Sequence, residues 1–357
     1  MSQFKVGILG AGKPWKAEGA TGFGMNHAHA QGYAASGKCE IVAIADPIAE
    51  NAQEFSEKHT GGKARLYGGY EELLAAEPVD MVSIATWPHL HAPMVIAAAK
   101  AGVRAIHCEK PMAGTFGDAK AMAAACAEAG AQLSFNHQRR FNNTFQTARK
   151  MLDDGAIGDI VRIEGACGNF LDWGTHWMNM YLFYLRDEAK PLWVIGQVDA
   201  RHPNKAFDVP HDTQGMGTVR FDNGVMATLW TGDQAHEMVG CEHRIFGTDG
   251  WMEIHGNAPH IRWRGKGHAT TQIVEGEATE GGLHGNDANI KNVCDAVDAL
   301  ETGRKPLCDV SNALPTTEIL FGIYESARHR GRIDLPLTIE DHPLVDMIAS
   351  GVFPGAQ

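Results

Sequence analysis

The chain of 357 residues is long enough for two ordinary domains, and its 44% apolar and 21% charged residues are typical of a water-soluble globular protein. The formal net charge of -12 argues against nucleic-acid binding, because phosphate backbones recruit basic surfaces. No apolar run approaches the roughly 20 residues that span a bilayer, and no secretory signal opens the chain, so we expect a cytoplasmic protein that does not act on membranes.

The first third of the chain alternates short apolar runs with alanine-rich helical stretches. Such alternation predicts a parallel sheet with helices on both faces. The predicted strands are Lys5–Leu9, Glu40–Ala45, Met81–Thr86, Val103–Cys108 and Gln132–Phe135. The predicted helices are Glu50–Lys58, Tyr70–Ala76, Ala92–Ala101 and Phe116–Ala129.

After about residue 136 the pattern changes to strand-like runs separated by turn signals. Asp222-Asn223-Gly224 predicts a hairpin turn, because Asn and Gly tolerate positive φ, and a mostly antiparallel sheet follows. The predicted strands are Asp159–Gly165, Trp193–Ala200, Gly215–Phe221, Val225–Trp230, His243–Phe246 and Trp251–His255. The predicted helices are Thr144–Asp153, Ala288–Leu300 and Leu314–Arg328.

A glycine-rich loop follows the first predicted strand, as in dinucleotide-binding folds. Gly10-Ala11-Gly12 begins the loop, but the third glycine of the usual GxGxxG spacing is Gly24, because about nine residues from Lys13 to Thr21 are inserted. Phe23 and Met25, which flank Gly24, are assigned to the same cofactor site.

Asp46 closes the second predicted strand about 20 residues beyond Gly24, where a ribose-binding carboxylate is expected. Its charge accepts hydrogen bonds from ribose hydroxyls and repels a 2′-phosphate, which favours NAD over NADP. The alternative is an ordinary turn residue before Pro47.

Chemically distinctive residues also follow the other predicted strands, at the sheet edge where parallel sheets bind ligands. Thr86-Trp87-Pro88, with His91 shortly after, and Glu109-Lys110-Pro111 are predicted to contact the cofactor. Asn136 follows the last strand of this part and is predicted to bind substrate.

Oxidation of an alcohol by hydride transfer requires a group that accepts the hydroxyl proton and one that steadies the alkoxide. Lys110 is the candidate for polarising the hydroxyl; the alternative is a solvated surface lysine. In the second half, Asp172 to Asn179 is the densest cluster of reactive side chains. A helix is expected to start near Thr175, with His176 as proton acceptor and Asp172 orienting it or binding substrate.

The residues Arg140, Trp173 and Trp177 are the remaining candidates for substrate contact. The alternative for His176 and the tryptophans is a buried core position.

Several motifs occur together in order and resemble the glucose-fructose oxidoreductase / inositol dehydrogenase / rhizopine catabolism (Gfo/Idh/MocA) family. They are Thr86 to His91, Cys108 to Pro111, Arg139 to Phe141, Gly155 to Gly158 and Asp172 to His176. The resemblance implies an oxidoreductase with a Rossmann domain, residues 1–135, and a substrate-binding and oligomerising α/β domain with an open, mostly antiparallel sheet, residues 136–357.

The resemblance further implies a sugar or polyol substrate, a catalytic set of Lys110, Asp172 and His176, and a cis bond before Pro111. The inserted glycine loop, and His89 in place of the more usual Asn, depart from the family pattern. An open sheet face indicates a homodimer or homotetramer.

Three alternatives stay open. Some relatives cleave glycosides through a transient NAD-dependent oxidation, and others are dinucleotide-sensing regulators, which lack the Glu-Lys-Pro element. The HxH pairs His27/His29 and His89/His91 suggest a metal hydrolase as the third alternative. No third ligand stands at a zinc-like spacing, so we expect no metal.

Overall fold

The computed structural model describes residues 3–202, 204–277 and 282–353 of the chain. It consists of two compact units, of which the first contains residues 1–138 and 286–313 and the second contains residues 139–285 and 314–357.

The first unit is built on a six-stranded sheet with strand order β3-β2-β1-β4-β5-β6. Its strands are parallel, as the alternating pattern predicted, but β3 was not among the five predicted strands. Its strands are β1 (Phe4–Leu9), β2 (Cys39–Ala45), β3 (Arg65–Tyr67), β4 (Met81–Ile84), β5 (Ala105–Cys108) and β6 (Gln132–Phe135). Its first five helices are α1 (Asn26–Ser36), α2 (Ala49–Thr60), α3 (Tyr70–Ala76), α4 (Pro88–Lys100) and α5 (Phe116–Ala129).

The second unit contains a nine-stranded sheet with the order β16-β15-β14-β13-β7-β12-β11-β8-β17. Every neighbouring pair is antiparallel except β7 and β12, so the predicted mostly antiparallel sheet is confirmed. Its strands are β7 (Ile160–Cys167), β8 (Pro191–Asp199), β11 (Gln214–Phe221), β12 (Met226–Gly232), β13 (His243–Gly247), β14 (Trp251–His255), β15 (His260–Arg264), β16 (Gln272–Glu275) and β17 (Ile333–Asp334).

A separate two-stranded ribbon lies between β8 and β11 in the chain, formed by β9 (Asn204–Ala206) and β10 (Val209–His211). The remaining helices are α6 (Asn143–Asp153), α7 (Thr175–Tyr184), α8 (Ala235–Val239), α9 (Asn286–Thr302), α10 (Val310–His329) and α11 (Pro343–Ala349). Helix α7 begins at the predicted residue, directly after a π-helical turn at Phe170–Gly174.

Helix α9 belongs to the first unit, which corrects the prediction that everything from residue 136 onward forms a second domain. The physical reason is apolar packing, because Val293, Ala296 and Val297 share one core cluster with Val6 and Ile8 of β1. The approach of α9 to α1 is so close that a Cβ at Gly32 would lie 2.5 Å from the Cβ of Val293.

The same packing explains why helix α1 was not predicted from the sequence. Buried side chains are distributed around the helix, including His27, His29, Ala30 and Tyr33. A helix covered on several sides lacks the single apolar stripe on which periodicity analysis depends.

Among the described residues, no helix combines the length and the apolar character that crossing a bilayer requires.

Candidate functional site

The glycine loop adopts backbone conformations that favour glycine. Gly10, Gly12 and Gly24 all have positive φ, at 85°, 58° and 57°. A Cβ on Gly10 would lie 2.6 Å from the Cγ2 of Thr86, and a Cβ on Gly24 would lie 2.1 Å from the carbonyl oxygen of Lys13. A side chain at Gly10 would therefore collide with Thr86, and a side chain at Gly24 would collide with the backbone of Lys13.

The inserted segment of the glycine loop begins and ends at nearly the same place in space. The tight contact between Gly24 and Lys13 places the two ends of the inserted segment side by side, and Gly12 lies against Gly24 as well. The three glycines are therefore adjacent in space although their spacing in the sequence is irregular. The insertion therefore does not separate the glycines of the fingerprint, and the contact of this loop with a pyrophosphate stays a prediction.

Asp46 ends β2 beside this loop and is buried. One carboxylate oxygen accepts a hydrogen bond from the backbone N–H of Gly12 at 3.0 Å, and the other accepts one from the N–H of Ile48 at 2.9 Å. An ionised carboxylate has about four acceptor positions, so capacity remains for two ribose hydroxyls. The binding of ribose by Asp46 stays a prediction.

Asn26 was missed by the sequence reasoning, although it holds the glycine loop to the sheet. The side chain is fully buried at the first residue of α1. Its amide nitrogen lies 3.1 Å from the carbonyl oxygen of Leu9 and 2.8 Å from that of Gly10. No spacing rule marks this residue, because its partners are backbone carbonyl groups.

Glu109 is buried at the end of β5 and anchors the segment that carries Lys110. Its Oε1 accepts hydrogen bonds from His29 Nε2 at 3.0 Å and from Asn136 Nδ2 at 2.6 Å. Its Oε2 accepts one from the backbone N–H of Lys110 at 3.1 Å. Burial alone would raise the pKa of Glu109, but His29, Lys110 and Asn136 outweigh it and hold the pKa below its usual range.

Asn136, predicted to bind substrate, lies inside this network. Besides Glu109, its amide nitrogen contacts Asn289 Oδ1 at 2.9 Å, and its oxygen accepts from Asn292 Nδ2 at 3.0 Å. Both partners come from α9, about 150 positions later in the chain. These contacts support a positioning role for Asn136, with α9 holding it from the far side.

Lys110 is partly exposed, and the Lys110–Pro111 peptide bond is cis, as predicted. His91, predicted to contact the cofactor, is buried instead between two loops at this edge. Its Nδ1 lies 3.0 Å from the carbonyl oxygen of Pro111, and its Nε2 lies 3.2 Å from that of Thr86. Burial lowers the pKa of His91, and the ring links the loop after β4 to the loop after β5.

The other predicted cofactor contacts are placed at the same edge of the first unit. Thr86 and Trp87 are half-buried between β4 and α4, and Pro88 is the first residue of α4. Phe23 is 43% exposed, and Met25 is half-buried immediately before α1.

In the second unit, Asp172 lies in the π-helical turn and His176 lies in the first turn of α7. The turn is fixed by Asn169, whose Oδ1 accepts from the backbone N–H of Asp172 at 2.7 Å. Asp172 is half-buried, and His176 is 4% exposed.

Asp212 also fixes this turn and was not predicted. Its Oδ1 accepts from the N–H of Phe170 at 2.9 Å and from the hydroxyl of Tyr324 at 2.7 Å, and its Oδ2 accepts from the hydroxyl of Thr231 at 2.6 Å. Burial raises the pKa of Asp212, against the opposing effect of these hydrogen bonds. No motif in the sequence marks this carboxyl group.

The two neighbouring arginines of the Arg139-Arg140-Phe141 motif have different surroundings. Arg140, the predicted substrate contact, is fully buried and forms two hydrogen bonds to the carboxylate of Asp187, at 2.6 and 2.7 Å. Its Nε and Nη2 also donate to Asn179. These contacts give Arg140 a structural function and do not support its predicted contact with substrate.

Arg139 lies beside the tryptophans, with its guanidinium carbon 5.7 Å from the ring centre of Trp173 and 5.9 Å from that of Trp177. It is 4% exposed, and its Nε and Nη1 donate no hydrogen bond within the described residues. Burial lowers the pKa of Arg139 to about 10, although Asp172 and Glu242 oppose the shift.

Trp173 and Trp177 pack edge to face, with ring centres 5.8 Å apart. Trp177 is buried, and its indole N–H donates to the carbonyl oxygen of Glu242 at 3.1 Å, which is typical of a core tryptophan. Trp173 is half-buried and contacts the ring of His284. Of the two, Trp173 is better placed to present a face to a ligand.

The histidine pairs that suggested a metal site in the sequence contact other groups in the structure. His27 pairs with His59, their ring nitrogens 2.8 Å apart, and its second nitrogen lies 3.3 Å from the carbonyl oxygen of Gly12. His29 bonds to Glu109, and His91 faces backbone carbonyls. Within residues 3–202, 204–277 and 282–353, no three His, Cys, Asp or Glu side chains are arranged to hold a metal ion.

Two family models match the chain. Residues 4–137 match the model described as "Oxidoreductase family, NAD-binding Rossmann fold", and residues 166–253 match the Gfo/Idh/MocA C-terminal domain. The chain belongs to the Gfo/Idh/MocA oxidoreductase family. As a member of this family it is an NAD-binding oxidoreductase, and the two-domain α/β fold agrees with the prediction from sequence.

Relatives of this Gfo/Idh/MocA protein include two that are named as dehydrogenases. The D-apiose dehydrogenase of Paraburkholderia graminis is 37% identical over 158 residues, which cover 44% of this chain and 38% of that protein. The myo-inositol 2-dehydrogenase of Thermotoga maritima is 26% identical over 267 residues, which cover 68% of this chain and 74% of that protein.

Among solved structures, a levoglucosan dehydrogenase in complex with NADH and levoglucosan superposes with a TM-score of 0.77 at 22% identity. The superposition covers 94% of this chain and all of that one, which establishes a shared fold.

Proposed function

We propose that this protein transfers a hydride between a hydroxyl-bearing carbon of a sugar or polyol and NAD. The observation that carries the proposal is the anchored Glu109-Lys110-Pro111 segment. A lysine that served only as a solvated surface group would not require a buried carboxylate, held by His29 and Asn136, to fix its backbone.

NAD, when bound, supplies the hydride acceptor, for which the glycine loop and Asp46 provide a fitting cradle. Lys110 donates a hydrogen bond to the reacting hydroxyl oxygen and stabilises the negative charge that develops there. His176 accepts the hydroxyl proton, and Asp172 orients the imidazole or binds a neighbouring hydroxyl. In the reverse direction the same groups return the proton to the carbonyl oxygen.

The substrate class is supported by the relatives, two of which are named for a sugar and a cyclic polyol. The second unit supplies matching surfaces. Trp173 is suited to pack against the apolar face of a sugar ring, and Arg139 has donors for its oxygen atoms.

The test is a screen of the purified protein against polyols, aldoses and glycosides. The absorbance of reduced nicotinamide measures turnover. With the best substrate, Lys110→Ala is expected to lower kcat by about 10²–10⁴-fold, the usual range for acid–base groups, while NADH binding persists. Lys100→Ala, at the exposed end of α4 in the same unit, is the matched control. Unchanged kcat in Lys110→Ala would contradict the proposed role.

The screen also separates the alternatives. Cleavage of a glycoside without net accumulation of NADH would indicate hydrolysis through transient oxidation. NADH binding with no turnover on any substrate class would indicate a dinucleotide-sensing regulator.

We also propose that the protein forms a homodimer or homotetramer through the open sheet of the second unit. Helix α10 covers one face, where Ile323 packs against Gly196 and Gly217. On β8, Ile195 is 42% exposed and pairs across the sheet with Thr218 of β11. A second copy would bury this face. Light scattering that gave a monomeric mass at micromolar concentration would contradict the proposal.

A further inference from the structure

We propose that the inserted segment between Lys13 and Phe23, residues 14–22, forms a second wall of the binding site for the adenosine half of NAD and slows the release of the cofactor. The inference rests on NAD binding by this chain and concerns residues that the GxGxxG fingerprint does not contain.

The first observation is the geometry at the base of the segment. The carbonyl oxygen of Lys13 lies so close to Gly24 that only a glycine fits there. Removal of residues 14–22 would join Lys13 to Phe23 and give Gly-Ala-Gly-Lys-Phe-Gly, which has the ordinary GxGxxG spacing. The segment is therefore an addition to a complete phosphate loop, and its removal is a defined experiment.

The second observation is that the segment is internally ordered. The N–H of Ala17 donates to the carbonyl oxygen of Pro14, and that of Ala20 donates to the carbonyl oxygen of Ala17, both at 3.0 Å. The rings of Trp15 and Phe23 contact each other, with centres 5.4 Å apart. A segment folded on itself in this way can serve as a preformed wall, because little ordering remains to be done when a ligand binds.

The third observation is a cavity of about 260 Å³ between the inserted segment and the start of α2. Residues that line it are Lys13 and Thr21 on one side and Ile48, Glu50, Asn51 and Glu54 on the other. The cavity adjoins Asp46, because that carboxylate is hydrogen-bonded to Gly12, directly before Lys13, and to Ile48 itself. A ribose held by Asp46 would therefore lie at its rim.

The chemistry of the cavity fits an adenosine. Ile48 is 49% exposed and supplies an apolar surface for a base, while Thr21 and Asn51 supply donors and acceptors for hydroxyl groups and ring nitrogens. Glu50 and Glu54 add negative charge to that of Asp46, which disfavours the 2′-phosphate of NADP. The walls thus reinforce the preference for NAD.

The test is the rate of NADH release, measured by stopped-flow fluorescence on displacement by excess NAD. We expect the variant that lacks residues 14–22 still to bind NADH but to release it at least tenfold faster, so that the Kd rises by about the same factor, which corresponds to about 1.4 kcal/mol. Thr21→Ala combined with Asn51→Ala should accelerate release several-fold in a chain of full length. Lys58→Ala is the matched control, because Lys58 is exposed on α2 and does not line the cavity.

Competition experiments locate the effect. In the deletion variant, ADP-ribose should lose affinity by about the same factor as NADH, because both carry the adenosine half. An NADH release rate unchanged by both the deletion and the double variant would overturn the inference. So would a loss confined to nicotinamide mononucleotide. If the wild-type protein bound no NADH, the cofactor assignment itself would fail, which is a distinct result.

Discussion

The replacement of Glu109 by Gln tests whether the buried carboxylate positions the segment that carries Lys110. The variant keeps the size of the side chain but replaces one acceptor oxygen by an NH₂ group. Glu109 receives three hydrogen bonds, from His29, Asn136 and the backbone N–H of Lys110. An NH₂ group in the place of Oε1 would face the donors of His29 and Asn136, and one in the place of Oε2 would face the backbone N–H of Lys110.

The magnitude follows from the loss of one hydrogen bond to a charged group in a buried place. Such a bond contributes about 1.5–3 kcal/mol. We expect Glu109→Gln to lower the free energy of unfolding by about 2 kcal/mol. Displacement of the Lys110 backbone should lower kcat about tenfold or more, since small misplacements of reacting groups are costly. KM should change less than kcat.

The pH dependence of the unfolding free energy is an independent test of the role of Glu109. Because the pKa of Glu109 is held below its usual value of 4.5, its stabilising effect is complete above about pH 4.5. It is lost as the pH falls through the folded-state pKa. The difference in stability between wild type and Glu109→Gln should therefore shrink below pH 4.5.

Urea unfolding at several pH values, together with steady-state kinetics on the substrate found in the screen, measures these quantities. Glu128→Gln, at an exposed position of α5, is the control for the change of charge. Wild-type stability and wild-type kcat in Glu109→Gln would refute the positioning role.

Three further predictions concern packing and charge. Gly32→Ala should destabilise the protein by about 1–3 kcal/mol in urea unfolding, because its Cβ would collide with Val293; wild-type stability would contradict the close packing of α1 on α9. Arg140→Met should cost about 1–3 kcal/mol, because it leaves two oxygen atoms of the buried Asn179 without the donors of Arg140, while the Kd for NADH stays unchanged. Burial lowers the pKa of His243 to about 3. The contribution of the neutral ring to the stability of the protein is therefore complete above pH 6.5 and is lost as the pH falls toward 3. His243→Gln should reduce the slope of the unfolding free energy against pH in this window by about 1.4 kcal/mol per pH unit.

The features that sequence reasoning predicted well depend on local patterns. Five of the six strands of the first sheet follow from continuous apolar runs, whereas the short and largely exposed β3 was not predicted. The turn at Asp222-Asn223-Gly224 follows from residues that tolerate positive φ, and the structure gives Gly224 a φ of 90°. In each case the physical cause lies within a few residues of the observed feature.

The features that were missed depend on partners distant in the chain. Arg139 and Arg140 are adjacent and chemically identical, yet Arg140 reaches Asp187 while Arg139 lies beside the tryptophans. Which arginine is tied to a carboxylate depends on where α7 ends, and periodicity does not encode this. Asp212 is equally invisible in the sequence, because its buried contacts come from three separate elements.

The course of the chain through the first unit explains why the segment from 286 to 313 returns to it. Helix α9 does more than add apolar surface to β1, because its Asn292 also donates to the carbonyl oxygen of Phe135 at the end of β6. The same Asn292 holds Asn136, which in turn donates to Glu109. Support for the lysine segment is thus contributed by residues that follow most of the second unit in sequence. Because the network requires α9, we infer that the arrangement around Lys110 forms only when both parts of the first unit have folded together.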